Sequence, residues 1–267
     1  VPQITVWMED SMKPETVHPI SDGRWVAVES WPSADVNDKT LHMTYGHLQD
    51  EKNEKEEIVD LCTVQNHGLF ANEWMGAGVL GESPADMRCD DGMAMTFDSD
   101  VIEEDFEIFG YPTFTVEFTA DKPNAFLYAE LCDIHPDGAA TRVSYGLMNL
   151  THLDGHEKVT YLEPGKKYKA TVTLDVCGHV FPKGHRVRLA VANSFWPMIW
   201  PSPEKVTLKL DLSTAEFTLP IFTGKDTEGP NMEAKCAPLT PMTVLKEGVV
   251  NRQITYDLLT DSWTSIT

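Results

Sequence analysis

The chain has 267 residues, 42% hydrophobic and 24% charged, a globular composition long enough for one large all-β domain or two small ones. A formal net charge of −21 argues against a nucleic-acid partner, since affinity for phosphate backbones comes from lysine and arginine. No apolar run reaches the length a bilayer crossing needs, so a membrane span is not expected. The five cysteines (Cys62, Cys89, Cys132, Cys177 and Cys236) are scattered without a CxxC pair and read as free thiols of a reducing, cytoplasmic compartment. The sequence opens on Val1 and not on methionine, which leaves room for a removed signal peptide or an upstream domain.

In chain order, "DEKNEKEEIVDL" (residues 50–61) reads equally as a short helix or a solvated, charged loop. Alternation with period two then takes over. "TFTVEFT" sets Phe114, Val116 and Phe118 on one face, and "TVTLDV" does the same with Val172, Leu174 and Val176. "VTLKLDL" and "AEFTLP" add Val206, Leu208 and Leu210, then Phe217 and Leu219. Turns separate the strands: "HPDG" and "FPKG" put Pro136 and Pro182 second and Gly138 and Gly184 fourth, while "EPGK" places Gly165 where a type II turn needs positive φ. Short strands punctuated in this way predict an all-β protein, a β-sandwich or jelly roll. After Thr223, "GKDTEGPNMEAKCAPLTPM" reads as a linker or long surface loop, and "VVNRQITYDLLTDSWTSI" as two terminal strands.

Candidate chemistry is sparse. The one approach to a G-x-S-x-G elbow, "LGESPAD" around Ser83, has proline in place of the second glycine and precedes no helical pattern. Cys177, His179 and His185, like His152 and His156, lack the spacing that sets metal ligands on one face, so hairpin polarity is the favoured reading and no metal is assigned. In "DSDVIEEDFE", Asp98 and Asp100 start like a calcium loop, but Ile102 and Glu103 stand where an oxygen ligand and the glycine belong; a polar lead-in to a strand is the alternative. "NSFWPMIWP" concentrates Phe195, Trp196, Met198, Ile199 and Trp200, and reads as a sugar-stacking platform, a core corner or a docking face, with core or interface favoured.

Residues 103–150 and 164–197 resemble the C-terminal domain of the X-Pro dipeptidyl-peptidase and cocaine esterase family of serine hydrolases. The shared marks are the acidic lead-in at residues 103–112, the Asp133 to Gly138 hairpin, Gly146 with Asn149, and the stretch from Pro182 to Pro197. "PADMRCDDG" is similar to the family's "DQR--D" segment with Met87 in place of glutamine, and "ITVWMEDS" with "GRWVAVESWPS" resembles the crossing from hydrolase domain into sandwich.

The resemblance implies a jelly-roll β-sandwich of the galactose-binding type at residues 36–224. Residues 1–35 would cross over from an upstream α/β-hydrolase domain, and residues 225–267 would form a linker and appended strands. It implies a Ser-His-Asp triad upstream, so no catalytic residue is assigned to this chain, and no cofactor. The domain would pack on its hydrolase partner, and the loop before the "DQR" segment, at Trp74, Met75, Val79 and Leu80, would shape the rim of the acyl pocket. Phe195, Trp196, Met198 and Trp200 would build a docking face, and without the upstream domain a homo-oligomer is expected to cover it. The rival expectation is a freestanding carbohydrate-binding module.

Overall fold

The structure is a computed structural model that describes residues 4–16, 18, 20–71, 84–224, 241, 243, 245–246 and 253–266. The strands are β1 (Ile4–Glu9), β2 (Gly23–Val28), β3 (Val36–Thr44), β4 (His47–Gln49), β5 (Ile58–Leu61), β6 (Met95–Asp98), β7 (Phe106–Gly110) and β8 (Thr113–Ala120). They continue with β9 (Phe126–Ile134), β10 (Ala140–Asn149), β11 (Lys167–Thr173), β12 (Cys177–Phe181), β13 (Arg186–Ala192), β14 (Leu208–Phe222), β15 (Gln253–Asp257) and β16 (Ser262–Ile266). Among the described residues one short α-helix, α1 (Arg88–Asp91), precedes β6, and a 3-10 turn spans Leu150–His152. No described helix is long and apolar enough to cross a membrane.

The architecture is an all-β sandwich. Strands β1 to β14 hydrogen-bond into one sheet that closes over a common core, and β15 pairs with β16 as a separate sheet. Alternation explains the closure: Phe114, Val116 and Phe118 of β8, Leu127, Ala129 and Leu131 of β9, and Val187, Leu189 and Val191 of β13 share one buried cluster. Each of these phenylalanine, leucine and valine side chains, removed from water, contributes about 1.5–3 kcal/mol. β14 ties the layers together. Leu208 to Asp211 run between β5 and β8; after an irregularity the strand continues beside β3 and ends against β7.

The hairpin of β1 and β2 lies outside this core. β1 runs parallel to β12, and Met8, Val26 and Val28 pack on Phe109 and Phe222 in a second cluster.

Several local expectations need correction. The strand expected through Val176 ends at Thr173, and Val176 is exposed, because Leu174 hydrogen-bonds to Pro112 and the chain then turns towards β12. The two strands read around Leu208 and Leu219 are one, β14. In "FPKG" the turn starts one residue late: His185 N–H donates to Pro182 O, which places Gly184 third with φ of 89°. The charged stretch from Asp50 stays irregular until β5.

Candidate functional site

Three neighbourhoods carry the chemistry. The first follows β13. Asn193 is buried there and stitches the connection: its Oδ1 accepts from Thr63 N–H at 2.8 Å, and its Nδ2 donates to Val206 O at 2.9 Å and Leu61 O at 3.3 Å. His67 Nδ1 donates to Ser194 O at 2.6 Å, and Trp196 N–H donates to His67 O at 2.7 Å. Gly68 is obligatory beside them, because a Cβ there would stand 2.5 Å from Trp196 O and its φ is +93°. These bonds turn the aromatic stretch two ways. Phe195 points inward, wholly buried, and stacks on Tyr128 at 3.8 Å between centroids. Trp200 points outward at 76% exposure, 5.4 Å from the half-buried Trp196. Met198 is half-buried against the Tyr128 and Phe195 cluster. Phe195 therefore leaves the expected docking face, since Tyr128 and Ile199 already enclose it. A groove of about 810 Å³ opens next to Trp196, lined also by Trp263, Gln65, Asn66, Lys205 and Asp261.

The second neighbourhood gathers around Asp133 at the end of β9. Its carboxylate is fully buried. Oδ2 accepts from Ser11 Oγ at 2.5 Å and lies 3.3 Å from His179 Nε2, while Oδ1 lies 2.7 Å from His185 Nδ1. Burial would raise this carboxyl, but hydrogen bonds from His179, Ser11 and His185 outweigh it and hold Asp133 below the ordinary carboxylate range. His135 lies beside the cluster, its ring 4.5 Å from that of His185; burial lowers its pKa. The same residues hold the segment ahead of β2. Met12 O accepts from Thr141 Oγ1 at 2.7 Å and from His135 Nε2 at 3.1 Å, and Lys13 pairs with Asp137.

A third group is sealed inside. Glu130 lies in β9 with Tyr128 and Cys132, both of which donate to its carboxyl. Burial pushes Glu130 up to about 7, against the lowering effect of Arg142, and pushes the Cys132 thiol well above its ordinary range. Asp91 and Asp98 grip Arg188 from two sides, at 2.8 Å and 2.6 Å. Asp98 is thereby spent on Arg188, which removes the basis of a calcium loop starting there. Asp90 accepts from Gly68 N–H through Oδ1, and burial pushes it up to about 6.

Of the other expected residues, Trp74, Met75, Val79 and Leu80 lie outside the described residues, as do Ser83 and Cys236. Cys62, Cys89, Cys132 and Cys177 are free thiols. Cys177 sits apart from the histidines, its Sγ 3.8 Å from Gly110 O and its pKa pushed up to about 12 by burial. His152 and His156 form an exposed pair with Nδ1 atoms 3.0 Å apart. Sequence reading missed Asp133, His135 and Glu130. The signal was present for two of them: Asp133 and His135 continue the parity of Leu127, Ala129 and Leu131, so polar side chains follow directly on a core face.

Known proteins are similar to this chain in sequence or in fold. A Streptomyces avermitilis protein that carries the name Xaa-Pro dipeptidyl-peptidase is 37% identical over 84 residues, 32% of this chain and 12% of its own length. The cocaine esterase of a Rhodococcus species is 24% identical over 116 residues, 43% of this chain and 20% of the esterase. The solved structure of an aminopeptidase from a marine sediment thaumarchaeon superposes with a TM-score of 0.64 at 16% identity, over 74% of this chain and 38% of that one, and shares the fold. The chain thus spans well under half of each of these proteins. Residues 1–236 match the X-Pro dipeptidyl-peptidase C-terminal non-catalytic domain, and the chain belongs to that family.

Proposed function

We propose that this chain is the C-terminal domain of a serine hydrolase of the dipeptidyl-peptidase or acyl-esterase type, which cleaves ester or amide bonds through a triad housed in an upstream α/β-hydrolase domain. The observation that carries this reading is the family match over residues 1–236. In the whole enzyme a serine attacks the carbonyl with histidine as base and backbone N–H groups as oxyanion hole, and this domain supplies packing in place of chemistry. Trp74, Met75, Val79 and Leu80 shape the rim of the acyl pocket. Trp200, with Trp196 and Met198 behind it, faces the hydrolase domain, and the exposure of Trp200 supports that role. The free thiols support a reducing, cytoplasmic setting.

The test is hydrolysis of a p-nitrophenyl ester and of an Xaa-Pro anilide by the purified chain, alone and fused to the hydrolase domain encoded ahead of it. We expect turnover only from the fusion. Turnover by the isolated chain that disappears with Ser83→Ala would overturn the assignment.

A second reading, a carbohydrate-binding module, is favoured by the groove beside Trp196, where indole faces adjoin amide and charged side chains able to hydrogen-bond hydroxyls. Saturable binding of soluble oligosaccharides, lost with Trp196→Ala or Trp263→Ala, would support it.

A further inference from the structure

We infer that Asp133, His135 and His185 form a binding site for a divalent transition-metal ion of the zinc class, which clasps residues 11–13 to the sandwich. One ligand atom from each of the three lies within 4.8 Å of the other two, and side-chain rotations can close this to the roughly 3.3 Å that bonds of about 2.0 Å give in a tetrahedron. Two imidazoles and one carboxylate suit a borderline ion such as Zn²⁺ and disfavour Ca²⁺ and Mg²⁺, which take oxygen ligands.

The hydrogen bonds around the cluster fit a ligand set. Thr141 Oγ1 spends its hydrogen on Met12 O, so both oxygens beside His135 Nε2, Thr141 Oγ1 at 2.9 Å and Met12 O at 3.1 Å, accept from it; Nε2 carries the hydrogen and Nδ1 holds the lone pair. A ligating histidine is commonly fixed in this way, its second nitrogen donating to a backbone carbonyl. Asp133 is divided likewise. Ser11 Oγ and His179 Nε2 occupy Oδ2, which leaves Oδ1 facing His185 Nδ1 at 2.7 Å. The ion takes the place of the hydrogen between these two atoms, His185 passing to the tautomer that carries its hydrogen on Nε2, and His135 Nδ1 completes three protein ligands with a fourth position for water.

A cavity of about 290 Å³ opens beside the cluster, at His179 and Thr141, and its wall carries Glu9, Asp10 and Glu15 against one arginine, Arg142, a net acidic mouth that concentrates cations. Among the described residues one other metal-sized group, Asp91, Glu130 and Cys132, does not compete: Asp91 is held by Arg188, and burial disfavours the Cys132 thiolate. Spacing along the sequence does not reveal the first site, because its ligands come from two hairpins, and Cys177, the tempting neighbour of His179, bonds to Gly110 instead.

The experiment uses the full chain without a histidine tag, stripped with chelator and then loaded with Zn²⁺ or Co²⁺ at neutral pH. We expect one ion per chain by elemental analysis, a visible Co²⁺ absorption band of mixed nitrogen and oxygen ligation, and a Tm several degrees above the stripped protein. Binding should disappear in His135→Ala and in His185→Ala. It should weaken about tenfold in Ser11→Ala, whose hydroxyl only orients the carboxylate, and persist in His156→Ala, which removes the exposed histidine pair. The Co²⁺ spectrum of the unaltered chain gives a reading even where a variant fails to fold. Absence of stoichiometric binding, equal binding of Ca²⁺, or loss with His156→Ala but not His185→Ala would overturn the site.

Discussion

Glu130 has no appreciable exposure, and the charged groups facing it are Arg142, which favours its ionised form, and Asp91, which opposes it. Burial dominates and sets its pKa at about 7. A carboxyl raised on folding binds its proton more tightly in the native state, so it stabilises the fold fully below its unfolded value. That contribution is lost as pH climbs from the ordinary glutamate range to about 7. At pH 8 the loss amounts to about 3 kcal/mol. Asp90, raised to about 6, acts in the same direction, and the variant Glu130→Gln separates the two. Urea unfolding at pH 5 and pH 8 should show the variant gaining on the parent chain by about 2.5 kcal/mol at the higher pH, since part of the loss is already present at pH 5. An offset that is the same at both values would mean Glu130 does not titrate in this window. No pattern rule exposes such a residue in advance: Glu130 occupies a strand position whose neighbours on both faces are buried, and parity alone marks it as either core or surface.

At the scale of elements, the Gly146 to Asn149 motif acquires a physical reason. Gly146 lies in β10, and a Cβ on it would stand 2.4 Å from Thr173 O, where the sandwich folds the end of β11 against it. Asn149 then ends the strand, its side chain accepting from Thr151 N–H at 3.0 Å and from Thr151 Oγ1 at 2.8 Å. Gly146→Ala should destabilise the protein by about 2 kcal/mol or more, since relief requires backbone movement in a packed layer. Thermal unfolding against the parent reads this directly, and an unchanged Tm would show that the layers can part at no cost. Strands such as β8 were legible because alternation is a property of neighbouring residues. The extent of β14 was not, because its continuity through residues 212–215 depends on which strands lie beside it. The same limit hid the Asp133 cluster, whose members approach only once β9, β12 and the turn before β13 are assembled.

For the whole molecule, the aromatic stretch separates into two kinds of residue with opposite mutational signatures. Phe195→Ala should cost about 3–5 kcal/mol, because it empties a site enclosed by Tyr128 and Ile199. Trp200→Ser should leave unfolding nearly unchanged and weaken self-association of the isolated chain, measured by analytical ultracentrifugation. If Trp200→Ser leaves association intact, the face that holds copies together lies elsewhere. The order in which strands meet has a further consequence. β3 is among the first strands made, yet its main partner is β14, with Val36 opposite Phe222 and His42 opposite Glu216. Almost the whole sandwich sequence must therefore be synthesised before that pair can form, and topologies dominated by such distant pairings fold slowly. During synthesis β3 waits with one edge open, exposed to pairing with other chains. The charged residues Asp38 and Lys39, which lie on the segment of β3 that later meets β14, are well suited to keep that waiting edge from associating prematurely.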